Sequence, residues 1–231
     1  MNHPPFRIVF AVFPGMTQLD FTGPYQFLSR LPDSRSIVAS RDGGDVPAEG
    51  LTFAHTQRLT DIAACDLLCV PGGVAATQVA LDEDFIAQIR RLGEGARYIT
   101  SVCTGSLILG AAGLLQGRRA ACHWAYRHLL PLFGALPDAG RVVRDGHVIT
   151  GGGVTAGIDF ALTLLAELGG EALAQTLQLG LEYAPAPPFD AGSPETAPAE
   201  ILAGYQTRMA ATIPAREAEA REAAARLEVV S

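Results

Sequence analysis

Cys103 occupies a position in the sequence at which a thiol can act as a nucleophile. It follows the apolar run Tyr98–Val102 and precedes Thr104 and Gly105, at what the pattern predicts to be a helix start. In a nucleophile elbow, a sharp turn between strand and helix exposes the reactive side chain at the edge of the sheet. Dipoles at a helix N-terminus stabilise a thiolate, so we expect a lowered pKa for Cys103 and a Thr104 N–H facing developing negative charge. The alternative is a small, buried apolar residue.

The other cysteines are predicted to be packing residues. Cys65 lies just before the apolar run Leu67–Val70, Cys69 lies within it, and Cys122 follows two alanines. The chain has no CxxC pair and no export signal at Met1–Arg7. Its four cysteines are too few for a disulfide-rich protein. These features favour free thiols in a reducing compartment, and so a cytoplasmic protein.

A cysteine nucleophile often uses histidine as its base, but no histidine is close to Cys103 in the sequence. Thr104 follows the cysteine directly, and no histidine occurs after His147. His123, beside Trp124, could line a site, although the sequence favours a structural or surface role. The complete set of histidines is His3, His55, His123, His128 and His147. The proton carrier is therefore sought among the carboxylates.

Asp20 is the carboxylate best placed to carry that proton. It follows the first predicted strand and precedes a predicted helix, at the same sheet edge as Cys103. The alternative is a structural role for Asp20, as a helix N-cap or as a partner of the helix dipole. Partial burial would raise the pKa of Asp20 toward neutrality. Asp159, in an early turn of a later helix, is predicted to be a structural acid.

Strands that alternate with helices predict a mostly parallel sheet with helices on both faces. Ligands in such sheets bind outside the carboxyl ends of the strands. Three glycine-rich turns fall at these ends: Pro71–Gly73, Cys103–Gly105 and Gly151–Gly153. A backbone N–H from Gly72 or Gly73 would be a second donor toward an oxyanion. The predicted strands are Arg7–Val12, Ser36–Ser40, Asp66–Val70, Tyr98–Val102 and a hairpin over Arg141–Ile149; the predicted helices are Thr22–Leu31, Asp84–Leu92, Ser106–Ala112, His123–Phe133, Thr155–Leu168 and Glu171–Glu182.

The C-terminal part of the chain changes in composition. Ala184–Pro198 holds five of the 15 prolines and is predicted to be an extended arm. Ala199–Leu227 is alanine-rich and predicted to be helical, with Glu217–Arg221 and Glu222–Arg226 as favourable pairs. The predicted organisation is an α/β domain over residues 1–198, including the arm, and a helical extension over 199–231. This extension packs on the same domain or on a dimer partner.

The overall composition excludes several classes of function. A net charge of −7 without any run of Lys or Arg argues against nucleic-acid binding. No apolar run approaches the roughly 20 residues of a membrane span. The sequence contains no HExxH, GxGxxG or Walker motif, so neither a metal nor a nucleotide is expected.

Together these motifs resemble the ThiJ/PfpI superfamily, which is related to the class I glutamine amidotransferases, and within it the bacterial isocyanide hydratases. The similarity extends through nearly the whole chain. The combination of Asp20, Thr104 and the late proline-rich segment is more specific than the cysteine elbow alone. The matching segments are Leu19–Pro24, Pro71–Gly73, Thr100–Gly117, His123–Tyr126, Gly151–Leu168 and Leu181–Phe189.

The resemblance implies a flavodoxin-like three-layer sandwich, a homodimer and catalysis without a cofactor. It implies that Cys103 is the nucleophile, that Asp20 is its hydrogen-bonded acid and base, and that Thr104 orients the substrate. Val154 matches a position beside the nucleophile that is often isoleucine. The expected reaction is hydration of an isocyanide to an N-substituted formamide through a thioimidate.

Two other functions stay open at this stage. Peptide and glutamine hydrolysis are disfavoured. Protease-like relatives have a histidine directly after the cysteine, amidotransferases carry a later one, and this chain has neither. A glyoxalase-like hydratase acting on another small electrophile is the first alternative. A thiol-based sensor or ligand-binding domain without catalysis is the second.

Overall fold

A mostly parallel sheet lies between two layers of helices. The structure is a computed structural model that describes the backbone of residues 4–230 and the side chains of residues 4–227. The strands are β1 (Phe6–Ala11), β2 (Ser34–Ser40), β3 (Gly44–Ala48), β4 (Leu51–Arg58), β5 (Leu67–Val70), β6 (Tyr98–Val102), β7 (Arg119–Ala120), β8 (Leu136–Pro137), β9 (Val142–Asp145) and β10 (Val148–Gly151). The helices are α1 (Gln18–Leu28), α2 (Ala76–Val79), α3 (Glu83–Gly95), α4 (Gly105–Ala111), α5 (Ala156–Gly169), α6 (Glu171–Gly180), α7 (Ala199–Ala210) and α8 (Ile213–Val230), with 3₁₀ turns at Leu59–Asp61 and Arg127–Phe133.

The described residues form an eight-stranded sheet in the order β3-β4-β2-β1-β5-β6-β10-β9. In this order, the six neighbouring strands β4, β2, β1, β5, β6 and β10 pair in parallel. The edge strands β3 and β9 pair antiparallel with β4 and β10. Helices α1, α5 and α6 pack together, and α2, α3, α4 and α8 form a second group. Strand β5 and most of β1 are buried because both faces of the sheet are covered. The predicted three-layer α/β fold with a parallel central sheet is confirmed.

The ends of the parallel strands bring the predicted site residues to one edge of the sheet. β1 leads toward α1, which carries Asp20; β5 ends at Pro71-Gly72-Gly73; and β6 ends at Cys103. β10 lies beside β6 in parallel register, with Gly151 opposite Val102. The predicted hairpin at Asp145-Gly146 is also confirmed, since β9 pairs antiparallel with β10.

Several predicted elements need correction. Helix α1 begins at Gln18 and not after Asp20, so Asp20 lies in its first turn and Pro24 lies inside it. The segment predicted as a helix over His123–Phe133 is instead a 3₁₀ turn that begins at Arg127. Pro131 lacks the N–H that would continue the hydrogen-bond ladder of an α-helix, so a regular α-helix over this segment is disfavoured.

The C-terminal extension consists of two helices where one was predicted. Helix α7 ends at Ala210, and α8 begins at Ile213, just before Pro214. Proline suits the first turn of a helix but not its interior, so the break falls there. Glu222 pairs with Arg226 at 2.6 Å as predicted, whereas Glu217 pairs with His128 instead of Arg221. Helix α8 buries Ala220 and Ala223 against the domain, and no residue of α7 is fully buried.

Candidate active site

Cys103 lies in a strained turn between β6 and α4. Its φ of 59° falls in the left-handed region, which costs a non-glycine residue of order 1–3 kcal/mol and is common at active sites. The Cys103 N–H donates to the Gly151 carbonyl at 3.0 Å, which fixes the turn against β10. A Cβ on Gly105 would lie 2.2 Å from the Val70 carbonyl oxygen, so only glycine fits beneath the turn. The geometry is that of the nucleophile elbow predicted from the sequence.

The Asp20 carboxyl is buried beside this turn. Its Oδ2 accepts a hydrogen bond from the Gly72 N–H at 3.0 Å. Its Oδ1 is buried and has no hydrogen-bond partner of regular geometry in the described part of the chain. The Cys103 thiol interacts with the same carboxyl. Oδ1 is therefore the oxygen left to exchange a proton with the thiol or with a substrate.

Burial dominates the electrostatics of Asp20. It raises the pKa of Asp20 from 3.8 to about 7, and the charge of Glu49 adds to the rise. The interaction with the Cys103 thiol and the hydrogen bond from the Gly72 N–H oppose it. A pKa near neutrality is the value at which one carboxyl can both accept and donate a proton.

The predicted lowering of the Cys103 pKa is wrong. Burial raises the pKa of the thiol well above its usual 9.0, and the negative charge of Asp20 raises it further. The Thr104 N–H lowers the pKa of Cys103 but does not reverse the shift. Helix α4 has only seven residues, so its dipole is a weak counterweight to the loss of hydration. Cys103 thus rests as a neutral thiol.

The Gly72–Gly73 turn holds the site together. Its N–H groups donate to Asp20 Oδ2 at 3.0 Å and to Thr104 Oγ1 at 2.9 Å. A Cβ on Gly72 would lie 2.4 Å from the Thr104 nitrogen and 2.9 Å from Asp20 Oδ2. Both N–H groups are already engaged, so the turn positions Asp20 and Thr104 instead of offering the free oxyanion donor expected from the sequence.

The Thr104 hydroxyl serves the same turn. Its Oγ1 accepts from the Gly73 N–H and donates to the Gly73 carbonyl at 3.1 Å. In this conformation the hydroxyl secures Gly73, while the Thr104 backbone N–H acts on the sulfur of Cys103. Substrate orientation by Thr104 remains a prediction.

Val154 lines a cavity of about 540 Å³ near the elbow, although Cys103 and Asp20 are not among its lining residues. Gly152, which follows the hydrogen-bond partner of Cys103, and Cys122 line the same cavity. His123 also faces it, and burial and the charge of Arg216 lower the pKa of its imidazole. The sequence therefore underrated His123 as a lining residue. His3 lies outside the described residues.

Two contributors to the site were not predicted. Glu49 accepts the Gln18 N–H at 3.0 Å, which brings its charge to the start of α1 near Asp20. It stands in the tight turn between β3 and β4, a hairpin that the sequence analysis did not identify. Ser106 donates to the Cys103 carbonyl at 3.1 Å and also contacts the Cys122 thiol. No motif in the sequence predicted the contacts of Glu49 or of Ser106.

The residues that were predicted to be structural make contacts that stabilise the fold. Asp159 forms an ion pair with Arg141 at 2.6 Å and accepts from the Tyr183 hydroxyl at 3.2 Å. Cys65 and Cys69 are buried in the core. In the described part of the chain there is no cluster of three or more His, Cys, Asp or Glu side chains suited to a metal ion. Within residues 4–230, every helix is too short or too polar to serve as a membrane span.

The fold and the elbow define a member of the DJ-1/PfpI family, and residues 6–167 match the model of that family. The chain belongs to this family. It is 51% identical to the isonitrile hydratase of Pseudomonas putida over 96% of this chain and 97% of the relative. A ThiJ/PfpI family protein from Pseudomonas syringae shares its structure with a TM-score of 0.90 and 39% identity, over 95% of this chain and 90% of the other. DJ-1beta of Drosophila melanogaster shares the fold with a TM-score of 0.70 at 22% identity, and 78% of this chain covers all of that one.

Proposed function

We propose that this protein is an enzyme that hydrates isocyanides to N-substituted formamides, with Cys103 as nucleophile and Asp20 as general acid and base. The observation that carries the proposal is the buried Asp20 carboxyl beside the elbow cysteine, with one oxygen unpaired and a pKa of about 7. The P. putida relative, named an isonitrile hydratase, supports the choice of substrate because the similarity spans almost the full length of both chains.

The first step forms the covalent intermediate. As the sulfur of Cys103 attacks the isocyanide carbon, the thiol proton passes to Asp20 Oδ1, which is ionised above pH 7. A new C–S bond forms, and the negative charge develops on the former isocyanide carbon. Asp20 returns its proton to that carbon and leaves a thioimidate, R–N=CH–S–Cys103. The thiol loses its proton to Asp20 during the attack, so no thiolate has to form beforehand. The raised pKa of Cys103 disfavours such a preformed thiolate.

The second step consumes water and releases the product. Asp20, again a carboxylate, takes a proton from a water molecule whose oxygen attacks the thioimidate carbon. The nitrogen receives this proton, which gives R–NH–CH(OH)–S–Cys103. The C–S bond then breaks, and the hydroxyl proton passes through Asp20 to the departing sulfur. The sum is one isocyanide and one water converted to one formamide, with the thiol and carboxylate restored and no cofactor consumed.

The direct test is turnover by purified protein of a simple aryl isocyanide, followed by the appearance of its formamide in chromatography. We expect stoichiometric formamide and incorporation of one ¹⁸O atom from labelled water. Methylglyoxal, assayed in parallel, separates the glyoxalase-like alternative. Oxidation of Cys103 without turnover of either substrate would support the sensor alternative and contradict the proposal.

We also propose that the protein is a homodimer. Leu179, at the end of α6, and Phe189, on the arm, expose 82% and 79% of their surface, and α7 has no fully buried residue. These side chains offer apolar surface to a second copy of the chain, and twofold dimers are the commonest closed assembly. Sedimentation equilibrium at micromolar concentration should give twice the chain mass of 24.3 kDa, and Leu179→Glu should shift the equilibrium toward monomer. A single 24.3 kDa species of the unaltered protein would refute the proposal.

A further inference from the structure

A second cavity continues from the one beside the elbow. It measures about 200 Å³, and we call it the ring pocket after its walls, which include Trp124, Pro194, Ile201, Leu202 and Tyr205. His123, Trp124 and the arm residues Gly192, Ser193 and Pro194 line both cavities, so the two cavities adjoin. Gly152 and Val154, which lie near the elbow, line only the larger cavity, so the ring pocket is the one farther from Cys103.

The walls of the ring pocket are mainly aromatic and aliphatic, with Ser193 and His123 as polar members, and none of its lining residues is Asp, Glu, Lys or Arg. The rings of Trp124 and Tyr205 lie 5.3 Å apart between centroids and are tilted by 46°. His123 stacks on Trp124 at 5.7 Å, and its imidazole is held neutral because burial and Arg216 lower its pKa. The pocket therefore favours an uncharged, apolar guest. A cavity of about 150 Å³ is known to accept benzene, so about 200 Å³ has room for one ring.

Helix α7 forms part of the wall of this pocket. No residue of α7 is fully buried, so the helix adds little to the core. Ile201, Leu202 and Tyr205 nevertheless all line the ring pocket. The arm and α7 lie beyond residue 167, where the match to the family model ends. This outer wall is thus an addition to the shared family domain.

The shape of an isocyanide directs its substituent toward this wall. The C≡N–R unit is linear, so a carbon held at the Cys103 sulfur places R farther along the cavity, away from the elbow. Gly152 and Val154 line the cavity nearer the elbow, Trp124 lies where the two cavities meet, and Tyr205 lines only the ring pocket.

We propose that the ring pocket binds the N-substituent of the isocyanide, that it selects uncharged apolar substituents of about one ring, and that Tyr205 of α7 and Trp124 determine this specificity. This inference deepens the proposed function and depends on it for the identity of the reacting group.

Trp124 is the only tryptophan of the chain, so its fluorescence reports on the ring pocket. In Cys103→Ala, which binds without reacting, N-phenylformamide should change the fluorescence saturably. N-Methylformamide and N-(4-carboxyphenyl)formamide should not do so at the same concentrations. In the unaltered protein background, Tyr205→Ala should lower kcat/KM for phenyl isocyanide about tenfold and change that for methyl isocyanide less than about twofold. Tyr205→Phe, which keeps the ring, should restore the kcat/KM for phenyl isocyanide that Tyr205→Ala loses. Leu136→Ala, an exposed apolar truncation outside both cavities, should behave like the parent.

The outcomes separate the two proposals. Turnover of isocyanides together with an equal loss for both substrates in Tyr205→Ala, or with no fluorescence response to N-phenylformamide, would overturn the ring pocket and leave the proposed function intact. Saturable binding of N-phenylformamide without turnover of any isocyanide would overturn the proposed function while supporting the pocket as an apolar binding site.

Discussion

Replacing Cys103 with alanine or serine is expected to abolish isocyanide hydration, with kcat lowered by at least about 10³-fold. The thiol forms the covalent bond, and a serine hydroxyl is a far weaker nucleophile that a carboxyl with a pKa of about 7 cannot activate. Mass spectrometry of the unaltered protein, quenched during turnover, should find the isocyanide added to the peptide that contains Cys103. The variants should fold normally, as judged by thermal melting.

The other cysteines are matched controls for this prediction. All four thiols are buried, and burial raises the pKa of each of them, so differences in reactivity must come from position. Cys122 is the most stringent control because it lines the same cavity and contacts Ser106, which also bonds to the Cys103 carbonyl. Cys65→Ser, Cys69→Ser and Cys122→Ser should retain turnover. An adduct on one of these residues, with activity lost in step when it is replaced, would refute the role of Cys103.

The parts of the fold that are buried on both faces could be predicted from the sequence. Apolar runs such as Leu67–Val70 read as strands because parallel strands are covered on both sides. The β3–β4 hairpin was missed because most of its side chains are exposed, so the alternation of apolar and polar residues is weak. Its Glu49-Gly50 turn has positive φ at both residues, and the glycine, which such turns favour, was the signal available in the sequence.

The members of the site could be predicted, but not their electrostatics. Asp20, Gly72 and Cys103 could be grouped because parallel strands of one sheet end at the same edge. The pKa of Cys103 could not be predicted from the sequence, because the loss of hydration around the thiol depends on the packing of the whole domain around the turn. The sequence suggested a helix dipole acting on the thiol, whereas burial and the Asp20 charge have the larger effect.

The second large effect is expected for Asp20→Asn, which should lower the hydration rate by about 10²–10⁴-fold while Cys103 stays in place. Asparagine can still accept the Gly72 N–H that Asp20 Oδ2 accepts at 3.0 Å, but it cannot exchange a proton. In the parent protein, kcat/KM should fall below a pH of about 7, since protonated Asp20 cannot accept the thiol proton. This acidic limb should be absent from the residual activity of the variant. Asp20→Glu should also lose about 10²-fold, because the longer side chain displaces the carboxyl.

Stability measurements distinguish this role from a helix cap. A cap would lose about 1 kcal/mol on replacement, but Thr17 occupies the N-cap position and Asp20 bonds instead to Gly72 of another turn. The folded pKa of Asp20, about 7, exceeds the unfolded 3.8, so folding favours the protonated acid. The stabilisation is complete below pH 4 and lost as the pH rises through 7.

Asp20→Asn has no such titration. Its free energy of unfolding should therefore gain roughly 3 kcal/mol relative to the parent between pH 5 and pH 8. Urea unfolding of both proteins at the two pH values measures this difference. A variant that is equally destabilised at both pH values and turns over normally would return Asp20 to a structural role and leave Cys103 without its proton acceptor.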